Sequence, residues 1–274
     1  MRDDAGSAQD RPRRLRWANA AKWIVGGLLV LDLGVLLFVL SFAHATAEGP
    51  AKRSLRHSLA ILTEVDTFLE DHWETLRQEA AQTQEESPEP PDLPVAVSFT
   101  PDEVLASDRD EFRALLLTRM ADRVYEQGVA TFREERGAEI GFFSTQGAVR
   151  SGMDFLRPTP HRVLTALTIA LAAAAGLLAL SLALTTRGHG RLVSLGLAVV
   201  AAAVPFLVLA VAVRFALRLA ADGLDDYLAR EFLTLAQEMT WAPIRNGLIF
   251  AVGGGVVLLA GTALARWSDG WRLL

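Results

Sequence analysis

One carboxylate, Asp32, stands ninth in the run IVGGLLVLDLGVLLFVLSF (24 to 42), where it is the single charged residue among nineteen. A charged carboxyl group at the centre of a bilayer costs about 2.5–3.5 kcal/mol or more, so such a residue marks a proton or cation relay, a polar ligand contact, or a hydrogen bond that fixes helix packing. No cation shares its depth. Arg214 lies about ten residues higher, or about 15 Å by helical rise, and Asp32 is expected to carry its proton rather than an ion pair. What shares its depth is backbone: Pro205 removes the hydrogen bond to the Ala201 carbonyl, and Gly253-Gly254-Gly255 lets another helix approach closely. Asp32, Ala201, Pro205, Gly253, Gly254 and Gly255 together form the expected midplane polar site. Gly247, Ala251 and Gly255, at four-residue spacing, form an expected helix-packing face of the small-xxx-small kind.

Other chemistry has no carrier. The five histidines and the acidic residues include His57 with Glu64 and Asp66 with Glu70 on possible shared helix faces, but no H-E-x-x-H and no paired ligand spacing. No metal and no cofactor are therefore expected. The absence of cysteine removes disulfides, thiolate ligands and thiol nucleophiles. There is no phosphate-binding loop, no G-x-S-x-G elbow and no basic face interleaved with aromatics, so neither an enzyme nor a nucleic-acid partner is expected.

The elements that must position Asp32 follow from hydropathy. VLTALTIALAAAAGLLALSLAL (163 to 184) and LVSLGLAVVAAAVPFLVLAVAV (192 to 213) each hold 22 residues without a charge, long enough as helices to cross a hydrocarbon layer of about 30 Å. Residues 24 to 42 and 247 to 265 supply two more candidates. The fold class is thus an all-α integral membrane protein with four transmembrane helices, at 23–43, 162–184, 192–215 and 247–265. Between the first two spans an extracytoplasmic helical domain is expected over 44–161.

Arginine beside the spans sets orientation. The tail 1–22, expected to be disordered, carries Arg2, Arg11, Arg13, Arg14, Arg16 and Lys22; the loop 185–191 carries Arg187 and Arg191, and the tail 266–274 carries Arg266 and Arg272. Residues 43 to 160 hold 22 acidic and 12 basic side chains, a net charge of 12 − 22 = −10. Both termini are therefore expected in the cytoplasm of a cell-membrane protein, with the acidic domain outside. Trp17, Trp23, Trp241, Trp267 and Trp271 flank span ends as interface anchors against membrane lipid. The small-residue stretch Ala43 to Gly49 offers signal-peptide cleavage points after Ala45 or Ala47, but the apolar run ahead of it exceeds an h-region of about 7–15 residues, and a retained anchor is expected.

Within the domain, Leu55, Leu59, Leu62, Val65, Leu69, Trp73, Leu76 and Ala80 recur at helical spacing, predicting a helix over about 51–86. The proline-rich stretch 87–100 ends it. Thr100-Pro101-Asp102-Glu103 is a capping box that opens a second predicted helix, about 101–136, carrying Leu105, Phe112, Leu115, Leu116, Met120, Val124 and Phe132 and closing at Gly137. Near-equal lengths predict an antiparallel hairpin. Between the last two spans, residues 216–246 hold an amphipathic segment, about 222–239. Two amphipathic helices enclose little core, so this third helix, or a second copy of the chain, is expected to cover their stripe.

The plan is similar to claudin-like topology, without that family's cysteine pair or tryptophan motif. The reading these features support is a non-enzymatic accessory or scaffold subunit that meets a protein partner or another copy of itself through its extracytoplasmic helices. A small channel or transporter built around Asp32, and an extracytoplasmic sensor that signals through a partner, are the alternatives.

Overall fold

The structure, a computed structural model, describes residues 10–63, 65–82, 95–128, 152, 155–186, 188, 190–223 and 227–270. The described residues are almost wholly helical: α1 (Asp10–Ala45), α2 (Glu48–Leu62), α3 (Val65–Gln82), α4 (Pro101–Ala106), α5 (Arg109–Gln127), α6 (Pro158–Thr185), α7 (Gly190–Asp222), α8 (Tyr227–Met239) and α9 (Trp241–Gly270). Four stretches are long and apolar enough to cross a membrane, Lys22–Ala45, Pro158–Thr185, Gly190–Asp222 and Leu233–Trp267, and the chain is a multi-pass membrane protein. It divides into two compact units: residues 1–42, 164–214 and 240–274 form the first, and residues 43–163 and 215–239 the second.

In the first unit, α1, α6 and α7 share a core of Leu29, Leu33, Leu36, Ala175, Leu182, Ala198 and Ala202. Much of the remaining surface of these helices is apolar and exposed, including Leu31, Ile169, Leu177, Val208 and Leu259, as suits a lipid solvent. Helix starts earlier than composition suggests. The tail expected to be disordered is helical from Asp10, since Pro12 falls in the first turn, where its missing N–H costs nothing, and alanine, leucine and arginine beyond it are strong helix formers.

The second unit holds Ala51, Leu55, Leu59, Val65, Leu69, Ala80, Phe112, Leu116, Met120 and Val124 in one buried core, together with Val95, Val97 and Phe99. These include most of the positions read from the helical period. The two long helices expected over 51–86 and 101–136 are each interrupted. α2 ends at Thr63, whose hydroxyl donates to the Leu59 carbonyl at 2.6 Å, and α3 begins at Val65. The Thr100 box caps only the six residues of α4. A second box follows, in which Asp108 accepts from the Glu111 amide and Glu111 returns to the Asp108 amide. Two caps mean two helix starts, and the axis can turn between them. Gly128, at φ 80, closes α5, ahead of the expected Gly137; residues 83–94, with the first part of the proline-rich stretch, and residues 129–151 lie outside the described residues.

α2 packs on α5 and also on α8, and Met239 of α8 lies against the shared core. The third helix of the same chain thus covers part of the stripe; it begins at Tyr227 rather than at 222.

Candidate functional site

Asp32 projects from the side of α1 that also carries the buried Leu29 and Leu36, the 3.6-residue period placing all three within one arc. Its carboxyl group is half-buried; Oδ2 is sealed from solvent and has no hydrogen-bond partner among the described residues. Such an orphan acceptor in an apolar surround costs about 1–3 kcal/mol, a cost that persists only where something else retains the residue.

The structure does not bring the other expected midplane residues to it. α7 turns Ala198 and Ala202 toward α1 and α6, while Ala201 and Pro205 lie on the exposed side. Ala201 follows Ala198 by three residues, yet α1 and α6 are met through the 195–198–199–202 arc, which leaves Ala201 and Pro205 about a quarter-turn away. No hydrogen bond joins Asp32 to the Ala201 carbonyl. In the glycine triplet, a β-carbon added at Gly253 or at Gly255 would meet nothing within 4 Å.

Only Gly254 faces a neighbour. A β-carbon there would stand 2.8 Å from Val199 Cγ1. It belongs to a ladder at seven-residue spacing, Gly247, Gly254 and Gly261, lying on Phe206 and Leu207, on Val199 and Val200, and on Leu192 and Val193 respectively. Opposite it, a β-carbon on Gly196 would fall 2.5 Å from the Leu258 amide nitrogen and 2.9 Å from the Gly254 carbonyl oxygen. Rising numbers on α7 meet falling numbers on α9, so the pair runs antiparallel. Of the expected face of Gly247, Ala251 and Gly255, Gly247 meets α7 within the chain and Gly255 does not; the contact between α7 and α9 follows the seven-residue repeat, two turns of helix.

Sequence reasoning missed a polar contact. Asn246, buried on α9, donates from Nδ2 to Ser41 Oγ at 3.2 Å, and Ser41 in turn donates to the Leu37 carbonyl at 2.7 Å. An amide and a hydroxyl joined between membrane helices contribute about 0.6–2 kcal/mol. Asn246 fell one residue outside the span drawn at 247–265, although an asparagine flanking an apolar run is itself a sign. Farther along, Arg214 Nη1 donates to Thr240 Oγ1 at 3.3 Å and lies 6.0 Å from the Trp241 ring, tying the end of the third apolar run to the start of α9. Of the other expected anchors, Trp23 and Trp267 are exposed; the Trp17 side chain and Trp271 are outside the described residues.

The second unit is laced with ion pairs. Arg113 grips Asp66 with Nε at 2.5 Å and Nη2 at 3.0 Å, and that hydrogen bond holds the Asp66 carboxyl below its usual range. Lys52 bridges Glu48 at 2.8 Å and Asp122 at 2.9 Å, and its ammonium is stabilised by Glu48 first and Asp122 second. These pairs are largely exposed and contribute about 0–1 kcal/mol each; their effect is to fix the α2–α5 and α3–α5 registers. Among the described residues no group of three or more histidine and acidic side chains could hold a metal ion. Compared with known proteins, the chain matches no family model, no curated protein and no solved structure.

Proposed function

We propose that this protein is a non-enzymatic membrane subunit that presents its helical domain outside the cytoplasm for assembly with another protein. The observation that carries this reading is the α2–α8 contact. The two helices come from separate connections, one after the first span and one after the third. Connections that share a core must lie on one side of a bilayer, and four spans satisfy this. The arginine-rich segments then fall on the opposite side, the cytoplasm. Because α8 covers part of the apolar stripe, the surface left for a partner is mainly acidic, and that partner is expected to be basic, or a copy of this chain docked through its ion-paired faces.

One preparation tests both halves of the reading. The chain lacks cysteine, so single-cysteine variants at the exposed Glu74, Asp110 and Thr185 report without background. Glu74→Cys and Asp110→Cys are expected to react with an impermeant maleimide in intact cells, and Thr185→Cys only after lysis. Mild detergent extraction of the same cells is expected to yield a complex heavier than the 29.7 kDa chain. The reverse labelling, or a lone monomer at native concentration, contradicts the proposal.

The orphan carboxyl of Asp32 favours a second reading, a small channel or transporter that uses this residue to pass a proton or cation. Cation or proton flux into proteoliposomes that is lost in Asp32→Ala and also in Asp32→Asn supports it. A protein without flux, or flux retained by the isosteric amide, removes it.

A further inference from the structure

Charge is not spread evenly over the second unit. Its described segments 43–62 and 155–163 hold Lys52, Arg53, Arg56, Arg157 and Arg162 against Glu48, a net charge of 5 − 1 = +4. The described segments 65–82 and 95–128 hold five basic and twelve acidic side chains, a net charge of 5 − 12 = −7. The basic segments are the ones that join the spans. The unit begins at Ala43, inside the apolar stretch Lys22–Ala45, and its first part ends at Val163, inside the stretch Pro158–Thr185. Thr46 Oγ1 lies 3.2 Å from His161 Nδ1, which sets these two span ends side by side.

α2 buries Ala51, Leu55 and Leu59. Away from that side, Arg53 is exposed and Arg56 half-buried, three residues apart and so on one face. Arg162 is exposed one residue before the uncharged run that starts at Val163. Lys52 is held by Glu48 and Asp122, which occupies the single acidic side chain of these segments. No ion pair among the described residues includes Arg53, Arg56 or Arg162. Arg53 and Arg56 stand about 7.5 Å and 12 Å of helical rise beyond the start of α2 at Glu48. The potential of an anionic lipid surface extends about 8–10 Å, and a long arginine stem lets the guanidinium reach toward it. Phe155, 42% exposed just ahead of α6, adds the kind of ring that interfacial segments place at the headgroup boundary. Acidic side chains lie farther off: Asp110 is about 18 Å along α5 from Asp122, where α5 meets Lys52.

We propose that Arg53, Arg56 and Arg162 form a membrane-facing patch that binds the headgroups of anionic phospholipid. At the end of a span the lipid phosphate layer is always present, which selects it over a soluble anion. Such a patch holds the start of α2 against the bilayer and leaves the acidic remainder of the domain for a protein partner. Either leaflet carries phosphate, so the interaction does not depend on which side of the membrane the domain occupies.

Energy transfer on the full chain in nanodiscs tests this. The cysteine-free chain takes a donor dye at Gly49→Cys, an exposed position one turn before Arg53 where an added β-carbon meets nothing within 4 Å. The acceptor is acyl-labelled phosphatidylglycerol or acyl-labelled phosphatidylcholine, diluted into unlabelled phosphatidylcholine. Transfer to phosphatidylglycerol is expected to be the stronger, and the preference to fall about tenfold or more in Arg53→Gln/Arg56→Gln/Arg162→Gln. Arg53→Lys/Arg56→Lys/Arg162→Lys is expected to keep it, because a surface potential acts on charge rather than on the guanidinium fork. Raising salt from about 0.1 M to about 1 M, which shortens the screening length from about 10 Å to about 3 Å, is expected to remove the preference without any arginine substitution. Hydrogen exchange over α2 and α5 shows whether each variant is folded; should the glutamine variant unfold, the salt series decides. Equal transfer to the two lipids, a preference kept by the folded glutamine variant or lost in the folded lysine variant, or one unmoved by salt overturns the proposal.

Discussion

Replacing Gly196 by valine is expected to lower the thermal midpoint of the membrane-spanning unit sharply, at a cost near the upper end of the roughly 1–3 kcal/mol that overpacking carries. The reason lies in what the first added carbon would strike. The Leu258 amide nitrogen at 2.5 Å, the Leu258 Cα at 2.8 Å and the Gly254 carbonyl oxygen at 2.9 Å are all backbone. A side chain in the way can change rotamer; a helix backbone cannot, so α7 and α9 must separate along their whole contact. Separation strips the close approach at Gly254 and Gly261 as well, and in lipid there is no hydrophobic drive to replace lost packing between helices. Gly255→Ala is the matched control, because a β-carbon there meets nothing within 4 Å and alanine is the better helix former by up to about 1 kcal/mol. Thermal melts in detergent, with hydrogen exchange read separately over α7 and α9, check the pair. A native melt for Gly196→Val beside a damaged Gly255→Ala would mean that the four-residue face, and not the seven-residue ladder, carries the contact.

The two ladders show where the sequence is legible and where it stops. Uncharged runs of 22 residues admit one physical answer, a helix in lipid, and the four spans follow from composition alone. In the second unit, Leu55, Leu59, Val65, Leu69, Phe112, Leu116 and Val124 were recoverable because an amphipathic helix in water sorts its residues by period, and these are buried as the period requires. Inside a membrane that sorting vanishes. Leucine faces lipid and protein equally well, so the glycine triplet alone cannot say which of its members meets α7; the answer resides in Gly196, Val199 and Val200 on the other helix. Asp32 and Pro205 were linked by depth, and depth says nothing of rotation about a helix axis. The breaks at Thr63 and at residues 107–108 are a different kind of miss. The Asp108–Glu111 box was present in the sequence as a start signal, but a continuous apolar stripe ran through it and suggested one helix where there are two.

Removing the ring of Phe112 is expected to cost the helical domain about 3–5 kcal/mol, the range for emptying a buried aromatic site. Phe112 is 2% exposed and stands where three separate segments meet. Its ring centre lies 5.4 Å from that of Trp73 on α3 and 4.8 Å from that of Phe99 in segment 95–99, at tilted angles of 43° and 54°. Phe112→Ala therefore opens a cavity at the junction of α3, α5 and that segment, and two ring contacts worth about 0.5–1.5 kcal/mol each go with it. Against a domain stability of about 5–15 kcal/mol, the loss is a large fraction of the total. Phe112→Leu refills most of the volume and is expected to recover about half of the loss. Trp73 is the only tryptophan between residues 43 and 163, so a chain whose other tryptophans are replaced by phenylalanine reports this core by near-ultraviolet circular dichroism. The signal of Phe112→Ala is expected to melt about 10 °C or more below that of its parent, while hydrogen exchange over α6, α7 and α9 stays unchanged, since none of these helices contributes to the core around Phe112. Equal melts for the two chains would mean that Phe112 packs against less than its neighbours' geometry implies, and that the core is held from the α2–α5 contact alone.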